Sequence, residues 1–107
     1  MNRSAVVKIF NERCGVLYET SEGFIFEYDD EYMKRPNAVS ISMKLPISNK
    51  KHFSNILFPF FDGLIPEGWI LDLYASKWKL NTADRFDLLL KTTEDPIGAV
   101  SVEEIVQ

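Results

Sequence analysis

Residues 60–69 read FFDGLIPEGW. Upstream of Pro66 the apolar residues recur with the period of two that strands show, and from Pro66 onward they follow a helical period. The reading of the whole chain turns on this change. The stretch sets Gly63, Pro66 and Gly68 among Phe60, Phe61 and Trp69, with Asp62 and Glu67 as its two carboxylates. It holds no side chain suited to nucleophilic attack, so its alternatives are core, loop or a contact surface for another molecule.

Working upstream, Ala5 to Phe10, Gly15 to Glu19 and Phe24 to Tyr28 are short runs rich in Val, Ile, Phe and Tyr, separated by NERCG (11–15) and TSEG (20–23). Such runs punctuated by turn residues predict an antiparallel meander, and they place Cys14 beside Gly15 in a hairpin turn. In the third run Phe24, Phe26 and Tyr28 fall on one face, Ile25 and Glu27 on the other. After the charged stretch DDEYMKRPN (29–37), AVSISMKLP (38–46) alternates again, Val39, Ile41 and Met43 against Ser40, Ser42 and Lys44. It predicts a fourth strand ending at Pro46. ISNKKHFSN (47–55) reads as a polar loop. ILFPFFDGLI (56–65), with Pro59 inside it, reads as a buried irregular segment or short helix.

Working downstream, Pro66 suits a first helical position and Glu67 a first turn, where the helix dipole favours a carboxylate. A helix is predicted from Pro66 to Lys79. At about 100° per residue, Ile70, Leu71, Leu73, Tyr74 and Trp78 share one arc, and Gly68, Asp72, Ser76 and Lys79 share the opposite one. Trp78 reads as a core aromatic, and Lys77 lays its stem along the apolar arc. Trp69 falls at the margin, beside Asp72 and Ser76, where it either lies against the preceding loop or anchors a partner. A second helix is predicted from Ala83 to Lys91, with Asn81 or Thr82 as its N-cap and Asp84 in its first turn. TTEDP (92–96) ends it and IGAVSV (97–102) closes as a strand. The fold class is α+β: a small antiparallel β-sheet or partial barrel, followed by two helices and a closing strand, forming a single domain over residues 1–107.

Bulk properties narrow the function. The 107 residues are 46% hydrophobic and 26% charged, ordinary values for a folded domain. A net charge of -4 argues against direct nucleic-acid binding, which draws its affinity from Lys and Arg. The one basic cluster, Lys50-Lys51-His52, reads as a solvated turn. A single cysteine excludes an internal disulfide and any multi-cysteine metal site, and it suits the reducing cytoplasm. No stretch approaches the roughly 18 apolar residues of a membrane helix, and the N-terminus lacks the apolar core of a signal peptide.

No spacing signature of catalysis is present. The five glycines are too scattered for a phosphate cradle, and His52, the one histidine, lies in a polar stretch without a positioned partner. Asp29, Asp30 and Glu31 lack the spaced ligands of a calcium loop and read as a solvated acidic turn. No catalytic residue, metal site or cofactor is predicted, and the chain is not read as an enzyme.

The order SISMKLPI (40–47), FFDGLIPEG (60–68), RFDLLLK (85–91) and IGAVSV (97–102) resembles the N-terminal subdomain of the HipA family of serine/threonine kinases, toxins of bacterial toxin-antitoxin systems. The resemblance runs from about Val6 to Val102. In such kinases this subdomain leads into a larger part that holds the ATP and metal sites. A free-standing version resembles HipS, the small antitoxin of three-component HipBST systems, whose kinase HipT lacks the subdomain and whose HipB is a helix-turn-helix DNA binder. The resemblance implies a HipT-like kinase as partner and a HipB-like protein in a ternary complex, with no direct nucleic-acid or membrane contact. It implies a contact surface made of Asp62, Gly63, Glu67, Gly68 and Trp69, with Trp69 obstructing the kinase active site. The alternative is a structural, non-inhibitory N-terminal subdomain of a fused kinase.

Overall fold

A computed structural model describes residues 3–65, 84–93 and 99–105. Strands β1 (Ser4–Ile9), β2 (Glu12–Thr20) and β3 (Gly23–Tyr28) form the predicted antiparallel meander. The first hairpin turns at Phe10 and Asn11, both at positive φ (49° and 66°), the backbone that a two-residue turn of the right twist requires. The second turns at Ser21 and Glu22, where the Thr20 hydroxyl accepts from the backbone N–H of Gly23 at 3.0 Å and of Glu22 at 3.2 Å. Gly23, at φ 153°, cannot be replaced cheaply, because a Cβ there would run into the backbone carbonyl of Ser54.

Cys14 does not lie in a turn. It sits inside β2, where the register passes from Val7↔Gly15 to Lys8↔Arg13 and leaves Cys14 as the extra residue of a bulge. The bulge turns its thiol into the core, and the residue is wholly buried. The sequence offered Cys14-Gly15 as a turn because glycine is the usual punctuation. Here Gly15 serves a close approach instead: an added Cβ would meet the Glu27 carbonyl at 2.5 Å and the Phe26 ring at 2.9 Å.

Helix α1 (Asp30–Met33) follows β3, and the predicted strand over 38–46 is absent. Ile41 and Leu45, four residues apart, turn inward, while Val39 and Met43 turn outward, so the alternation of Val39, Ile41 and Met43 does not mark one face. Side chains do the work of a ladder. The Tyr28 hydroxyl donates to the Leu45 carbonyl at 2.5 Å and accepts from the Ile41 N–H at 3.0 Å. The Tyr32 hydroxyl donates to the Val39 carbonyl at 2.7 Å, and the Ser40 hydroxyl accepts from the Ile47 N–H at 2.8 Å. The fourth strand lies instead in the stretch expected to be loop: β4 (Lys51–Ser54) pairs with β3. Lys51 and His52 therefore belong to a strand, not to a solvated turn.

Helix α2 (Pro59–Asp62) is the short helix anticipated around Pro59, with the proline at its start. Helix α3 (Arg85–Thr92) begins later than predicted, because Asp84 is itself the N-cap and accepts from the Asp87 N–H at 3.1 Å. The proposed caps Asn81 and Thr82 lie outside the described residues, as do the helix predicted over Pro66–Lys79 and both tryptophans. Strand β5 (Val100–Glu104) is the expected closing strand and pairs with β1.

The sheet is antiparallel and open, in the order β4-β3-β2-β1-β5, and with the three short helices among the described residues it makes the α+β domain read from the sequence. Among the described residues β4 and β5 are the sheet's two edges. Phe26 and Tyr28 are wholly buried on the inner face, as their alternation predicted. The helices close that face through rings: Phe26 meets Phe61 of α2 at 5.6 Å between centroids, and Phe24 meets Phe86 of α3 edge-on at 5.6 Å. Among the described residues no helix is long and apolar enough to cross a membrane.

Candidate partner-binding site

The predicted contact stretch begins at α2, and the packing there explains its position. Phe61 is wholly buried and Ile65 nearly so, while Phe60 and Leu64 are half-buried against the same core. These four residues, part of the run that read as buried, fix the backbone that carries Asp62 and Gly63. The helix ends at Gly63, whose N–H donates to the Pro59 carbonyl at 2.9 Å. Its φ of -68° is open to any residue, so the glycine is not needed for conformation. It leaves the surface bare instead.

Asp62 is not an isolated charge. It accepts from the Arg85 guanidinium at 2.6 Å, a contact that ties α2 to α3 across half-exposed side chains. Ile56, Leu57, Pro59, Asp62 and Arg85 line a shallow cleft of about 270 Å³ beside this pair. Ile56 is 63% exposed, although the run that contains it read as buried. The structure thus brings Asp62 and Gly63 together at one corner, next to an apolar residue that periodicity did not single out. Glu67, Gly68 and Trp69 lie outside the described residues.

The remaining candidates for chemistry are structural. Burial pushes the Cys14 thiol up to about 12, with the nearby Asp29 carboxylate adding to the effect, so the sulfur stays protonated and unreactive. His52 bonds the Pro46 carbonyl through Nε2 at 3.0 Å and packs edge-on to Tyr28. The acidic stretch is dispersed into ion pairs: Asp29 with Arg13 at 2.6 Å and Asp30 with Lys50 at 2.7 Å. Among the described residues no three His, Cys, Asp or Glu side chains gather as a metal would require.

One further charged cluster sits away from this corner. The Arg3 guanidinium forks onto Glu19 at 2.7 and 2.9 Å, reaches Asp84 at 3.0 and 3.1 Å, and lies 5.1 Å from the Phe86 ring centroid. Those hydrogen bonds hold both carboxyls below their ordinary range. The cluster joins β1, β2 and the start of α3, which makes it a fastener of the fold.

Residues 5–103 match the family described as the HipA N-terminal domain. The chain belongs to the HipA N-terminal domain family. A solved structure titled N-terminal domain of HipA toxin superposes with a TM-score of 0.77 and 31% identity, covering 98% of this chain and 94% of that one. An uncharacterized protein of Haemophilus influenzae is 36% identical over 102 residues, which are 95% of this chain and 92% of its own length. A protein of Sinorhizobium fredii named putative kinase Y4dM is 30% identical over 104 residues, covering 90% of this chain but 25% of the kinase. The chain therefore spans about a quarter of that relative. What the comparisons match in HipA is its N-terminal domain.

Proposed function

We propose that this chain is an antitoxin-type protein that binds and neutralises a HipT-like serine/threonine kinase. The observation that carries the reading is that this module matches nearly all of one small relative and a quarter of a putative kinase. A module that occurs both by itself and within a kinase has a surface shaped for kinase, and a separate copy can use that surface to dock. The chain's own chemistry supports a binding role, since the described thiol is buried and protonated and the described histidine is engaged by a backbone carbonyl.

In this reading the contact runs from Asp62 and Gly63 through Glu67 and Gly68 to Trp69. The anchored α2 corner positions it, the bare Gly63 allows close approach, and Trp69 is the ring that obstructs the kinase active site. Asp62 meets the partner already shared with Arg85, so it sets orientation more than it adds affinity. The setting is a cytoplasmic ternary complex with a HipB-like DNA-binding protein, without enzymatic activity in this subunit. The coverage of only 25% of the Sinorhizobium protein favours a second reading, in which the same module is the structural N-terminal part of a fused kinase. A stop codon after Gln107 followed by a separate kinase frame selects the first reading.

The test is co-expression with the kinase encoded beside it, reading autophosphorylation, growth arrest and binding for the unaltered chain and for Trp69→Ala. Truncating an interface anchor costs on the order of 2 kcal/mol or more, about thirtyfold in affinity. Equal binding and neutralisation by Trp69→Ala would remove Trp69 from the mechanism, and absence of any kinase complex would remove the antitoxin role.

A further inference from the structure

The open edge of the sheet at β4 has the features of a strand acceptor. The Tyr28 N–H donates to the Lys50 carbonyl at 2.9 Å, and the register continues as Glu27↔Lys51, Phe26↔His52, Ile25↔Phe53 and Phe24↔Ser54. Antiparallel pairs alternate between bonded and non-bonded, so His52 and Ser54 turn their backbone groups to β3, whereas Lys51 and Phe53 turn theirs outward. β4 has no strand on its other side in the described sheet. Two donor and acceptor pairs thus face away from the fold.

Side chains flank this edge on both faces. On the outer face Tyr18, Ile25 and Phe53 form one cross-strand row, and Phe53 at its end is 58% exposed. On the other side of β4, a groove of about 610 Å³ runs between β4 and the loop carrying Met43, with Phe58, Pro59 and Phe60 at its end. Consecutive residues His52, Phe53 and Ser54 all line it, which is possible only if the strand's edge is part of the wall. Met43 is 96% exposed on a loop that Tyr28 and His52 hold in place, so its exposure is a fixed feature of the surface.

Charge selects among possible occupants. Lys50 is held by Asp30 at 2.7 Å and also reaches Glu27 at 3.6 Å, so Lys51 has only a share of Glu27, at 3.7 Å, and Lys44 stands on the opposite wall. The edge is locally cationic on a chain of net charge -4. A second copy would bring another KHFS strand, which has no carboxylate to offer Lys51.

We propose that the β4 edge binds an extended segment of a partner protein by strand addition, with an apolar side chain across from Phe53 and a carboxylate two residues away across from Lys51. Main-chain bonds to Lys51 and Phe53 supply the affinity, and the apolar and acidic positions supply the selectivity. None of the residues assigned to the kinase contact takes part in it.

The probe is a fluorescein-labelled seven-residue peptide of alternating valine and threonine with one phenylalanine and, two positions on, one glutamate. Its control carries lysine in place of glutamate. Binding to the complete chain is read by anisotropy, and amide hydrogen exchange is followed at residues 51 and 53. The glutamate peptide is expected to slow exchange at both amides at least tenfold and to bind about tenfold more tightly than the lysine peptide, a difference of about 1.4 kcal/mol. Lys51→Glu should invert that preference. Phe53→Pro removes an outward N–H without touching the β3 ladder and should abolish binding, whereas Trp69→Ala should leave it unchanged. Exchange that stays fast at both amides, or an unchanged preference in Lys51→Glu, overturns the proposal. Concentration-dependent dimerisation lost in Phe53→Pro overturns it too, by making a second copy the occupant.

Discussion

Tyr28 ends β3 with its ring wholly buried, and its hydroxyl answers a carbonyl and an N–H from a loop that has no ladder of its own. The pattern Val39, Ile41, Met43 mimics a strand because alternation is all that a sequence shows. That a tyrosine more than ten positions away supplies the hydrogen bonds leaves no local trace. Replacing Tyr28 with Phe keeps the ring and strands the Leu45 carbonyl and Ile41 N–H. The expected loss is about 1–3 kcal/mol, the cost of buried polar groups left without partners. Urea denaturation should show a lowered midpoint at an unchanged slope, and an unchanged midpoint would mean that water replaces the hydroxyl. Cys14 gives the reverse lesson: next to a glycine it resembles a turn residue, yet the bulge makes it core.

At the level of elements, strong local signals translated directly and weak ones did not. The alternation of Phe24, Phe26 and Tyr28 and the second predicted helix, here α3, came through, because each buries several large side chains. β4 was missed because an edge strand of four residues, KHFS, needs apolar character on neither face. Two of the five candidate contact residues, Asp62 and Gly63, sit at the end of a helix that Pro59 announced, whereas the cleft beside them depends on Arg85, 23 positions along the chain. The Arg3 cluster joins residues 81 apart, beyond the reach of any periodicity. Its consequence is a pH dependence with a defined sign. Arg3 holds Glu19 and Asp84 below their ordinary values, so their contribution is present above the unfolded carboxylate range and is lost as pH falls through the folded values. Between about pH 6 and about pH 3 the unaltered chain should lose more stability than Arg3→Met, in which the two carboxyls lose their shared cation. Parallel denaturation curves across that range check it, and equal losses would show that solvent already screens the cluster.

For the molecule as a whole, the closing strand brings the two described ends of the chain side by side. The Ile105 N–H donates to the Ser4 carbonyl at 2.9 Å, and the Phe10 N–H donates to the Ala99 carbonyl at 2.8 Å, so β5 is bonded to β1 along its full length. Between those bonds Val102 is wholly buried opposite Val7, and Val100 packs against the core from opposite Ile9. Burying one valine fully is worth about 2 kcal/mol against a total stability of roughly 5–15 kcal/mol for a domain of ordinary size. Deleting residues 99–107 removes that burial, uncovers Ala5 and Val7, and turns β1 into an unpaired apolar edge of the kind that pairs with other chains. The truncated chain is expected to lose its cooperative thermal transition and to run as aggregates on size-exclusion chromatography. Restoring the strand in trans, as a synthetic peptide of residues 97–107, should recover a monomeric species with a sigmoidal transition. A truncated chain that stays monomeric and melts cooperatively would instead make the four-strand sheet the folding unit and β5 an appendage to it.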